Sequence, residues 1–320
     1  MPNCALLAAV ALTAVLIGAG SAIGGDAPPP WAYPFGPYGA KTPDDGVPRH
    51  VPDSEAVFTL SQTGNPFFSP DWHPEDHPPL PVVAIEGRKP GVLACGYCHR
   101  ADGSGGPENA KIAGLPAAYI AQQIADYRTD ARKTSAPERL PPKYMIITAK
   151  SLTDQESAIA SAYFAAIRPK VTIRVVETDA APLTKVEGDH LELAATPGTE
   201  PIGQRIIEVP ETPENFHLRD GRTGFVAYVP PGSIERGRAL VAGDVAKSAS
   251  CGICHGTDLK GLGPIPGIAG RSPSYLVRQL YDFQTGARAG EWSGLMLPIV
   301  QKLSLDDMIA LAAYAASLRP

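Results

Sequence analysis

The chain has 320 residues, 44% of them hydrophobic and 19% charged, a length that suits about two folded domains. Its formal charge of −5, with no basic tract, sets nucleic-acid binding aside and leaves a surface suited to solubility and to basic partners.

The first element is an uncharged run from Ala5 to Ile23 that ends on the small residues Gly20, Ser21 and Ala22, so residues 1–22 read as a signal peptide for export. No Lys or Arg precedes the run, and its 19 residues would also span a bilayer if retained as an anchor. Cys4 precedes it and leaves with the signal.

Residues 23–90 form a Pro/aromatic-rich arm, with stretches such as PPPWAYPFGPYGAK and PDWHPEDHPPLP that favour extended or polyproline backbone. It either wraps its own domains or docks a partner. His73 and His77 are expected at the surface, one of them being a reserve ligand should Met145 fail in the role given below.

The sequence next places Cys95, Cys98 and His99 together, and the spacing of Tyr119, Ile120, Ile124 and Tyr127 after Pro116 predicts an amphipathic helix. Met145 is expected on a Pro-rich loop after Pro137, Pro141 and Pro142. The pair Thr153 and Glu156 opens a closing helix with a capping box.

Residues 170–232 contain β-branched runs (VTIRVVE, HLEL, QRIIEVP, FVAYVP) broken by Pro and Gly, which predict a strand-rich insert; its Asp189, His190 and His217 are expected at the surface. After it come a helix capped by Ser233, the cluster Cys251, Cys254 and His255, a helix with Tyr275, Leu276, Leu280 and Phe283, and Met296 before a helix opened by Ser304 and Asp307.

These elements are two copies of one unit. An offset of 156 residues carries Cys95-Gly-Tyr-Cys98-His99 onto Cys251-Gly-Ile-Cys254-His255, and Tyr119, Gln123, Asp126 and Arg132 onto Tyr275, Gln279, Asp282 and Arg288. Farther on, an offset of 151 carries Met145, Leu152 and Tyr163 onto Met296, Leu303 and Tyr314.

A cysteine pair two residues apart with His next is the attachment pattern of a c-type haem: both thiols reach the vinyl groups of one porphyrin and the imidazole reaches its iron. A thioredoxin-like redox pair or half a zinc site leaves the repeated histidine unexplained. Met145 and Met296, two of only four methionines, stand in register behind the motifs and are read as the second axial ligands.

On these motifs, the Ile-Ala-Gly steps (Ile112–Gly114, Ile268–Gly270) and the Tyr-x-x-x-Gln helices, the chain resembles the tandem diheme class I cytochromes c of bacterial periplasms. The resemblance covers about residues 91–169 and 234–320, and implies a mainly α fold of two small class I cytochrome c domains, 91–169 and 233–320, joined by the insert. It implies two covalently bound haems. Cys95, Cys98, Cys251 and Cys254 would be the thioether residues, with His99, Met145, His255 and Met296 as axial ligands.

The function implied is relay of single electrons in the periplasm, from a dehydrogenase or quinol-oxidising complex to an oxidase or another cytochrome, with no free iron position for enzyme chemistry. The partners would be redox proteins, and a membrane would be met only through a retained N-terminal anchor. Two alternatives stay open: a diheme peroxidase, and a fixed cytochrome subunit of a dehydrogenase. The first copy departs from the family pattern. It has Pro81 and Pro90 where an opening helix belongs, and Ala110 where the second copy has Pro266, whose carbonyl in the family accepts a bond from the proximal histidine.

Overall fold

The computed structural model describes residues 27–39, 43–243 and 250–320; the expected signal segment and Cys4 lie outside them. The arm carries two one-turn helices, α1 (Leu60–Thr63), closed by a capping box between Thr59 and Gln62, and α2 (Val82–Ile85), which starts directly after Pro81. Proline spacing keeps both short.

Four helices follow: α3 (Cys95–His99), α4 (Ala117–Arg128), α5 (Leu140–Ser151) and α6 (Asp154–Ala165). Ile120 and Ile124 give α4 its buried stripe, and they join Leu152, Tyr163 and Phe164 in one apolar core. The capping box of α6 is formed as its sequence requires, Thr153 accepting from the Glu156 amide while Glu156 reaches back to Thr153.

Between residues 173 and 229 the backbone is mostly strand. β1 (Ile173–Glu177) comes first, then β2 (Ala180–Pro182), β3 (Thr184–Glu187), β4 (His190–Leu193), β5 (Thr199–Pro201), β6 (Ile207–Pro210), helix α7 (Pro213–His217) and β7 (Phe225–Val229). A three-stranded sheet runs in the order β1-β7-β6, with Ile173 beside Phe225 in a parallel pair and Ile207 beside Tyr228 in an antiparallel one. Ile206, Ala227 and Val229 of this sheet share a core with Leu240, Ile309 and Ala312, so the sheet is fused to the second helical lobe.

That lobe contains α8 (Ser233–Ala242), α9 (Gly252–His255), the hairpin β8 (Gly261–Leu262) and β9 (Ile265–Pro266), α10 (Pro273–Gln284), α11 (Ser293–Val300) and α12 (Leu305–Ser317). Helices α8 and α12 cross closely at Gly237, where a Cβ would strike the Ala310 carbonyl.

Several expectations are corrected. Both methionines sit on helices: Met145 in α5, because Pro141 and Pro142 fall in its first turn, where proline's missing N–H costs nothing, and Met296 in α11, which continues past an internal Pro298. Gly232, with left-handed backbone, caps α8, and Ser233 is its first residue. His73 is buried against Asp220 at 3.1 Å, and His77 bonds Asp71 and the Pro78 carbonyl. Asp189 is buried beneath Tyr38 and Arg139, and His190 is held by Glu192; His217 is the exposed one of the insert's trio.

Candidate functional site

In α3 the thiols of Cys95 and Cys98 lie one turn apart, with His99 as the last helical residue; in α9 Cys251 is the N-cap and Cys254 and His255 follow. Burial pushes the Cys95 thiol up to about 12 and raises Cys98 and Cys251 as well. Thiols held neutral in this way are poor redox nucleophiles, which speaks against a thioredoxin-like pair. Among the described residues no three His, Cys, Asp or Glu side chains converge in a metal-holding group.

Each histidine is oriented from behind. His99 Nδ1 meets the Ala110 carbonyl and His255 Nδ1 the Pro266 carbonyl, both at 2.8 Å and both eleven residues downstream. With Nδ1–H donated, Nε2 is left as the ligating nitrogen, and burial lowers both imidazole pKa values so that the neutral form persists. The Ala110 departure costs nothing here, because the acceptor is a backbone oxygen that any residue supplies.

All eight residues picked from the sequence line one cavity of about 430 Å3 that is continuous across both lobes. Its walls are apolar at Ile124, Leu152 and Phe164 in the first lobe and at Leu276, Leu280 and Leu311 in the second. Met145 packs on the first core and Met296 on the second.

Where the lobes meet, the cavity turns cationic, a feature the sequence reading did not recognise. Arg132 donates to Gln123 of its own lobe at 2.7 Å and to Tyr275 and Gln279 of the other at 2.9 Å. Arg288 mirrors it, donating to Gln279 at 3.0 Å, Tyr119 at 2.9 Å and Gln123 at 2.7 Å. The backbone crosses there as well, Lys133 N to Ala287 O and Ala289 N to Ala131 O. The signal was available in the repeat offset that aligns Arg132 with Arg288 and Gln123 with Gln279.

These guanidiniums are satisfied by amide and phenol oxygens, not carboxylates. Two further buried cations on the same wall also bond neutral oxygens: Arg271 to the Gly267 and Lys111 carbonyls, and Lys111 to the Lys170 and Gly270 carbonyls. Burial lowers Lys111 to about 8 and Arg271 to about 10. Four cations that donate to no carboxylate among the described residues, beside an apolar cleft, fit a pair of haems, whose propionates would bring negative charge.

No family model matches the chain. It is 42% identical over 81 residues to cytochrome c-554(548) of Halomonas halodenitrificans, covering 24% of this chain and 98% of that protein. Over 233 residues it is 27% identical to cytochrome c4 of Azotobacter vinelandii, covering 71% of this chain and 85% of that protein. Over 235 residues it is 26% identical to a thiosulfate dehydrogenase electron acceptor of Stutzerimonas stutzeri, covering 72% and 82%.

Proposed function

We propose that this chain, which belongs to the tandem diheme class I cytochromes c, takes single electrons from a periplasmic dehydrogenase or quinol-oxidising complex and passes them to an oxidase or another cytochrome. It is an electron-transfer protein with two covalently bound c-type haems. Likeness to a thiosulfate dehydrogenase electron acceptor supports a dehydrogenase as donor.

The observation that carries the assignment of residues is the duplication of the whole site: two locked histidines, two cysteine pairs and two methionines on one cavity. Cys95 and Cys98 would hold the first haem and Cys251 and Cys254 the second, with His99, Met145, His255 and Met296 as axial ligands. When bound, each haem supplies a one-electron iron couple. The Ala110 and Pro266 carbonyls orient the imidazoles, the apolar walls exclude water, and Arg132, Arg288, Arg271 and Lys111 balance carboxylate charge where the lobes meet. Filling both axial positions leaves no open place for peroxide, which favours a carrier over a peroxidase.

We assign the haem lobes to residues 91–169 and 233–320, the arm to 23–90 and the insert to 170–232, with residues 1–22 directing export. Among the described residues no helix is long and apolar enough to cross a membrane. Mass spectrometry should show two haems per chain, and Met145→Ala and Met296→Ala should each alter the spectrum and lower the potential of one haem. A variant indistinguishable from wild type in both would remove that methionine from the ligand set.

A further inference from the structure

We propose that Arg219 and Arg100 hold the first haem at the higher reduction potential, so that an electron shared between the two haems rests on the first. The inference builds on the diheme reading and assigns a tuning role to two residues around the first attachment turn.

Arg219 comes from the segment between α7 and β7. Its guanidinium lies 3.5 Å over the ring of Tyr97, which sits between Cys95 and Cys98, and its hydrogen bonds go to the carbonyls of Tyr97 at 2.9 Å and Thr63 at 2.8 Å. Those acceptors are neutral, so the positive charge stays. Arg100 follows His99 directly, is 2% exposed, stacks on Phe216 and donates to the Phe216 carbonyl.

Both residues have left-handed backbone, φ +65° at Arg219 and +67° at Arg100, which a non-glycine residue adopts at a cost. At the position equivalent to Arg100 the second copy has Gly256, with φ +83°. The first lobe thus accepts strain where the second uses the residue that avoids it, and what the strain secures is a buried guanidinium.

Asp71 and Asp220 on this side are engaged by His77 and His73, and two further carboxylates are Glu108 and Asp102. Glu108 faces Arg100 at 4.0 Å and balances one cation, and Asp102 lies in the field of Lys170 and His77. Glu108 lies in the field of Arg219 as well, and one carboxylate leaves one of the two guanidinium charges unbalanced. In the second copy the places of Glu108 and Asp102 are taken by Pro264 and an exposed Asp258, and among the described residues nothing corresponds to Arg219. The arginines at the lobe junction, Arg132 and Arg288, are equivalent and cancel from the difference, and Lys111 of the first lobe is offset by Arg271 of the second, one buried cation each. A fixed positive charge disfavours the oxidised form of a one-electron site, which carries one more positive charge than the reduced form, and does so more strongly at low dielectric.

The test is a redox titration followed by NMR of the haem methyl resonances, assigned lobe by lobe, on wild type, Arg219→Gln, Arg219→Lys and Arg100→Gln. Wild type should reduce at the first haem first. Arg219→Gln should lower that haem's potential, shifting the electron distribution about threefold to tenfold toward the second haem, where tenfold equals 59 mV for one electron. The second haem should stay in place, Arg219→Lys should keep the wild-type value because it keeps the charge, and Arg100→Gln should move the first haem in the same direction. Reduction of the second haem first, or an Arg219→Gln shift that is absent or equal at both haems, overturns the inference. Bound haem is counted first by mass: a chain without two haems would overturn the family reading too, whereas two haems without this asymmetry would overturn the tuning role alone.

Discussion

Around α3 the chain has packed material from both the arm and the insert. Ser69 of the arm sits against Gly96, the Ala94 amide bonds the Pro66 carbonyl, and Arg219 of the insert covers Tyr97. Around α9 there is little of this among the described residues: Ile253, the counterpart of Tyr97, is 71% exposed, and Cys254 is exposed. The two turns carry the same attachment motif, so the motif does not decide how firmly its turn is held. Segments outside the repeat do that, and among the described residues they cover the attachment turn of the first copy more than that of the second, although the sheet packs on the second lobe's core.

Loss of haem attachment should separate the copies most sharply. Lobes of about 80 residues have small apolar cores, and a covalent haem adds what they lack. Replacing Cys251 and Cys254 by Ala should unravel α9 and the segments that line the second haem cleft, since α9 has few other ties among the described residues, while the part of the lobe packed on the sheet persists. The Cys95→Ala, Cys98→Ala pair should retain more helix, because the arm and insert still clamp α3. Circular dichroism with limited proteolysis measures both, and equal losses would break the contrast.

At the lobe junction the copies behave as equals, and substitution there should show it. Arg132→Ala and Arg288→Ala each strip partners from buried Gln and Tyr oxygens on both lobes, at about 2 kcal/mol. Denaturant titration should find the same cost for each. A large inequality would mean that the junction does not share the symmetry of its hydrogen bonds.

Much of this was legible in the chain. Fixed spacing declares the cysteine–histidine turns, the α4 and α10 stripes and the capping boxes at Thr153 and Ser304, because each depends on neighbours within one or two turns. The failures involve either context or distance. Pro141 and Pro142 signalled a loop, yet the first turn of a helix tolerates them, and so Met145 became helical. His73 and Asp189 were expected at the surface because their partners are far along the chain, Asp220 in the first case and Tyr38 in the second. The crossing of Arg132 with Arg288 required knowing that the lobes pack face to face.

The smallest contrast concerns the two closing helices and acid. In α6 the cap is Thr153 with Glu156, which is also paired with Arg88; in α12 it is Ser304 with Asp307, paired with Arg236 and 1% exposed at its side chain. Hydrogen bonds from Arg88 and from the cap lower Glu156 to about 2, and Asp307 is lowered by Arg236 and its own cap against the opposing effect of burial. A carboxylate whose folded pKa lies below its unfolded value, about 4 for either residue, gives stability that is complete above that value and is lost as pH falls toward the folded one. Each cap is worth about 1 kcal/mol. Melts taken from pH 5 down to pH 3 should therefore show declining stability, with Glu156→Gln and Asp307→Asn each flattening part of the slope. The Glu156 variant should flatten it more, because its pKa falls to about 2, whereas burial offsets part of the lowering at Asp307. A larger effect from Asp307→Asn would mean that the pairing with Arg236 outweighs that burial.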